Sequence, residues 1–108
     1  MFYTDFTVGD RTYKLRLNTR NLITLEKRIG GNPLMIFGNG DTLPKVTTMV
    51  DILFVSLQEF NHGITLEDAY NIFDTYIEEG NTTTDFVAVI LDIYKASGLL
   101  KQEVTEKN

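Results

Sequence analysis

Glu67, Asn71, Asp74 and Glu78 recur at intervals of four, three and four residues, which puts all four on one face of a helix. Two carboxylates on one face can serve as general acid and general base, so a hydrolase is the sharpest chemistry this row suggests. Such an enzyme also needs a substrate pocket, and nothing else in the sequence supplies one. The same spacing fits a strip on which a partner docks. It fits best a solvated face opposite the apolar stripe Leu66, Ala69, Tyr70, Phe73 and Ile77.

The other chemistry-bearing residues are few. His62 is the single histidine, so no two-histidine metal site can be built, and "FNHG" reads as a loop or cap between helices. Replacing His62 is therefore expected to leave function intact. There is no cysteine, which removes thiol nucleophiles, thiolate ligands and disulfides. Ser56 sits inside an apolar helix and Ser97 at a helix end, neither in a nucleophile-elbow context. The glycines of "GGNPLMIFGNGD" match neither phosphate-binding pattern, and "GNGD" has too few carboxylates for a calcium loop. The sequence predicts no catalytic residue, no metal site and no cofactor.

The elements that position these residues begin with "TVGDRTY". It reads as a tight hairpin turn at Gly9-Asp10 in preference to a ligand-gripping loop. Folding there sets Phe6 against Tyr13, Thr4 against Leu15 and Phe2 against Leu17 on one face. Thr7 then meets Thr12, Asp5 meets Lys14 and Tyr3 meets Arg16 on the other. Helices are predicted near 19–29, capped by Asn18 or Thr19, and near 45–60, apolar nearly all round. Two more follow near 66–79, with Thr65 and Asp68 as a capping box, and near 85–97, capped by Thr83 or Thr84. "NPLMIFG" gives a short helical turn with Asn32 as cap and Pro33 at its first position, and "GNGDTLP" a loop. The expected fold is α+β, mostly α: a β-hairpin over 2–17, then a compact helical bundle over 19–98. Residues 1–98 would form a single domain and 99–108 a flexible tail. The predicted core includes Phe6, Leu15, Leu25, Leu53, Leu57, Phe73, Ile90 and Ile93.

With 108 residues, 43% hydrophobic and 23% charged, the chain has the size and balance of one globular domain. No stretch reads as a signal peptide, and "MVDILFVSL" is too short for a membrane span. Net charge is −5, unevenly spread: residues 46–94 carry nine Asp/Glu and no Lys or Arg. That acidic middle argues against nucleic acid and anionic membranes as partners and favours a basic one.

The order of features resembles a known family. "YKLRLNTR" runs into "NLITLEKRIGGNPL", with Leu22, Leu25, Glu26 and Gly30 as L-x-x-L-E-x-x-x-G. The apolar "TTMVDILFVSLQ" follows, and then "GITLEDAYNIFDTYIEEG", whose Gly63-Ile64-Thr65 start precedes Leu66, Ala69 and Tyr70. Over about residues 13 to 98 this is similar to the tail assembly chaperones of long-tailed bacteriophages, especially phages and prophages of Gram-positive hosts. The resemblance implies a non-enzymatic protein of the host cytoplasm, absent from the mature virion, that binds the tape measure protein during tail morphogenesis. It also implies a longer form made by programmed frameshift, whose extension recruits tail tube protein; self-association is left open.

For such a role the candidate partner-binding residues are Glu67, Asn71, Asp74 and Glu78 as the acidic strip. The candidate apolar contributors are Met35, Ile36 and Phe37, with Leu99 and Leu100; ordinary core closure is the alternative for both apolar groups. The competing function is a small structural virion protein for head–tail joining or tail completion. A regulatory protein of a mobile element would need a basic recognition helix, which the sequence lacks.

Overall fold

The computed structural model describes residues 2–38 and 43–102. Strand β1 (Thr4–Val8) pairs antiparallel with β2 (Arg11–Leu15). Four helices follow: α1 (Thr19–Ile29), α2 (Val46–Leu57), α3 (Leu66–Glu78) and α4 (Thr83–Ala96), with a 3-10 turn at Pro33–Met35. This is an α+β fold, mostly α, with an N-terminal hairpin leading a helical bundle.

The hairpin has the register that side-chain alternation demands: Thr4 opposite Leu15, Asp5 opposite Lys14, Phe6 opposite Tyr13 and Thr7 opposite Thr12. Gly9 takes φ 63° at the first turn position and Asp10 stays negative, the pattern of a type II′ turn that matches strand twist. Phe6, Val8, Tyr13 and Leu15 face the helices and are buried. Regular pairing stops short of the predicted 2–17, and Phe2 departs from the expected face. It is 72% exposed, its ring lying 5.6 Å from the Arg16 guanidinium. Leu17, its expected partner, is buried, and the Leu17 amide leaves the ladder to donate to Ser97 Oγ at 2.9 Å.

Helix ends follow their local chemistry. Asn18 caps α1 by accepting from the Asn21 amide, and Gly30 closes it in the left-handed conformation. Asn32 caps the 3-10 turn, with Pro33 first. α2 is shorter than the predicted 45–60. Its last carbonyls accept from side chains, Phe54 O from Gln58 Nε2 and Leu57 O from Asn61 Nδ2, and Asn61 Nδ2 also donates to Lys14 O on β2. Thr65 and Asp68 form the expected capping box on α3. For α4 the cap is Thr82, not Thr83 or Thr84, because Thr82 stands three residues before Asp85 and closes a second capping box.

All eight predicted core residues are buried, and α2 lies at the centre, touching α1, α3, α4 and β2. On α3 the buried stripe is Ala69, Ile72, Phe73 and Tyr76, whereas Tyr70 is 45% exposed, against the expected stripe. The apolar residues of α3 fit either helical face. An aromatic cluster selects between them: Phe73 and Phe86 rings stand 5.2 Å apart, and Phe6 and Tyr76 rings 5.3 Å apart. At the C-terminal end the chain stays docked beyond the predicted boundary at 98. The amides of Leu99 and Leu100 both reach Tyr94 O, and both side chains pack against the core. The rest of the expected tail, 103–108, and positions 39–42 of the expected loop lie outside the described residues.

Candidate functional site

Among the described residues no group of three His, Cys, Asp or Glu side chains is placed to hold a metal ion. No helix there is long and apolar enough to cross a membrane. One groove, about 760 Å³, lies between the hairpin tip, the α2–α3 loop and α3. His62 lines it as an exposed turn residue. Its other polar side chains are mostly committed to the fold. The Asp68 carboxylate accepts from the Thr65 amide at 2.9 Å, the Arg11 guanidinium stacks 5.0 Å from the Tyr13 ring, and the Asn61 carboxamide holds β2.

A second groove, about 500 Å³, runs between α2 and α3 and has a different character. Val46 and Val50 on α2 face Tyr70 and Phe73 on α3, with Glu67, Asn71 and Asp74 among its lining residues. Val46 is 51% exposed, so this apolar surface is open to solvent. Asp51 also lines the groove, although only 7% exposed. Its Oδ1 accepts from Arg28 Nε at 2.9 Å and pairs with Arg28 Nη2 at 2.8 Å. The Arg28 guanidinium rests 5.0 Å from the Phe54 ring, so the pair ties α1 to α2 behind the groove.

A third groove, about 320 Å³, opens on the other side of the first turn of α2, between Met35, Ile36, Leu43 and Lys45. Met35 is 66% exposed, and Leu34 and Leu43 are also exposed. The second and third grooves thus flank one helix start, through Val46 and Thr47 on one side and Lys45 and Thr48 on the other.

Of the predicted partner-binding residues, Glu67, Asn71 and Asp74 come together along the α2–α3 groove. Glu78 is exposed one turn further along α3 and is not among the groove's lining residues. Met35 belongs to the open apolar surface, but Phe37, Leu99 and Leu100, like Ile36, are half-buried against the core. For those four, core closure accounts for most of the apolar area. Sequence reasoning missed Val46, Tyr70 and Leu43 as surface residues. Asp51 did carry a signal, since a lone acid inside an apolar helix needs a cation, and Arg28 ends the preceding helix.

The chain belongs to a family of unknown function, DUF6096, whose model matches residues 4–108. No curated protein and no solved structure matches it.

Proposed function

We propose that this member of the family is a tail assembly chaperone of a long-tailed phage or prophage, non-catalytic, that holds the tape measure protein until tube subunits enclose it. The observation that carries this reading is the α2–α3 groove, where exposed Val46 and Tyr70 stand beside Glu67 and Asp74. A protein that covers an aggregation-prone helical client needs open apolar surface rimmed by charge, so that it stays in solution when empty. The groove has that composition, and the apolar surface of Met35 and Leu43 lies beside it. An amphipathic helix bearing lysines fits it, its apolar face on Val46 and Tyr70 and its cations toward the α3 acids. Tape measure proteins are long helical chains, often rich in lysine, and suit this description. The protein would act in the host cytoplasm and be absent from finished virions, with a frameshifted longer form contacting tail tube protein.

The test is co-expression with a tape measure fragment and capture at two salt concentrations. Glu67→Gln, Asp74→Asn and Glu78→Gln together should lower capture most at low salt, because screening already weakens exposed charge pairs at higher ionic strength. Tyr70→Ser should lower it at both. Unchanged capture in both variants would remove the groove from client binding. Detection of the protein in purified particles would favour the structural virion component instead.

A further inference from the structure

The two edges of the hairpin are not equivalent. On β2 the Arg16 amide donates to Ser56 O at 2.9 Å, and Lys14 O accepts from Asn61 Nδ2 at 3.0 Å. The even-numbered backbone groups of β2 therefore point away from β1 and are occupied by the end of α2 and the loop after it. In an antiparallel ladder, opposed residues alternate between pairs that exchange hydrogen bonds and pairs that do not. Lys14 lies opposite Asp5 and Thr12 opposite Thr7, so Asp5 and Thr7 turn their amides and carbonyls out of the far edge. Among the described residues nothing bonds to those groups, and both residues are exposed.

A second feature adjoins this edge. α4, which touches β1, carries the run "FVAVIL", apolar around its whole circumference. Phe86 and Ile90 are buried, but Val87, Val89 and Leu91 are only half-buried and Ala88 is exposed. A helix apolar all round is ordinarily covered on all sides. Here one side is not.

We infer that β1 pairs with β1 of a second copy of this chain about a two-fold axis, making one four-stranded sheet with the two α4 helices on the same side of it. β1 is its own complement. Antiparallel overlap of all five residues sets Asp5 opposite the partner's Thr7 and Phe6 opposite the partner's Phe6. Asp5 then keeps Lys14 on its other flank, and no like charges oppose each other. Sliding the pairing two residues toward the N-terminus opposes Asp5 to the partner's Asp5, which charge disfavours. The contact is isologous and closes at two chains. It also covers the unpaired edge that a lone hairpin leaves as a template for aggregation.

The experiment is molar mass by light scattering on the full chain over a concentration series. The wild type should show the mass of two chains. Thr7→Pro should show the mass of one with the same far-UV circular dichroism, because the Thr7 amide points out of the sheet and proline removes, besides that donor, only the exposed hydroxyl contact with Thr12. A wild type with the mass of one chain throughout, or a folded Thr7→Pro that keeps the mass of two, would overturn the proposal. If Thr7→Pro loses its circular dichroism, the decision passes to cysteines, of which the chain has none. Asp5→Cys mixed with Thr7→Cys should form a disulfide-linked dimer on oxidation while neither variant alone does. Absence of that mixed link would sink the pairing.

Discussion

Tyr94 shows how much one side chain can hold in this molecule. It is fully buried, and its hydroxyl donates to Pro33 O at 2.8 Å, joining α4 to the 3-10 turn. Burial pushes that hydroxyl far above the usual tyrosine value, so it remains a donor at any working pH. Tyr94 O in turn accepts from the Leu99 and Leu100 amides, so one residue fixes both the turn and the segment after α4. Tyr94→Phe leaves the Pro33 carbonyl buried without its partner. It should cost about 1–3 kcal/mol in denaturant unfolding, with m unchanged. A loss under about half a kilocalorie would mean that water replaces the hydroxyl. This bond was not legible in the sequence, and of the Arg28–Asp51 pair only the need of Asp51 for a cation was. Both join residues far apart in the chain, and local periodicity reports only that each side chain faces inward.

At the scale of elements, legibility depended on how many residues could fill a role. The hairpin turn and its register followed from "TVGDRTY", because one glycine fits and one alternation buries Phe6 with Leu15. Thr65 was a readable cap for the same reason, whereas at α1 Asn18 and Thr19 both qualified and the structure selects Asn18. In "NTTTD" three threonines compete, and only the reach of Asp85 back to the Thr82 amide, 2.8 Å, selects one. On α3 the apolar residues outline two overlapping stripes, and the choice that exposes Tyr70 is made by rings on β1 and α4. The Asp68 cap also sets a pH dependence. Its carboxyl is held below the ordinary Asp value, first by the Thr65 backbone amide and then by the Thr65 hydroxyl. A value lowered on folding means that the cap's contribution is complete at neutral pH. It is lost as the pH falls below the ordinary Asp value and through the lowered one. Amide exchange in the first turn of α3, compared with that of α4's interior, should therefore lose protection on acidification. Asp68→Asn should flatten that response; an identical acid response in the variant would detach it from the cap.

The whole molecule is organised around α2. Leu53 is fully buried in a helix that meets three other helices and β2, so Leu53→Ala should cost about 2–5 kcal/mol in a single cooperative transition. A cost below about half a kilocalorie would mean that the surroundings collapse into the space, which a central position does not permit. The order of elements was legible from start to finish. The open surface was not, because exposure of Val46 and Leu43 depends on which elements fail to cover them. The bonds that seat the hairpin also span most of the chain: Gly9 N to Glu79 Oε2 is 70 residues apart and Leu17 N to Ser97 Oγ is 80. That separation becomes a delay during synthesis. At about 5–20 residues per second, the hairpin is made roughly 4–16 s before the residues at the end of α4 that seat it. During that interval Phe6, Tyr13 and Leu15 lack the cover that α3 and α4 give β1, while α1 and α2 can already meet. Ribosome-bound chains of stepped length should stay open to protease at the hairpin until α4 has cleared the exit tunnel. Protection while α4 is still inside would show that the hairpin finds shelter from α2 alone.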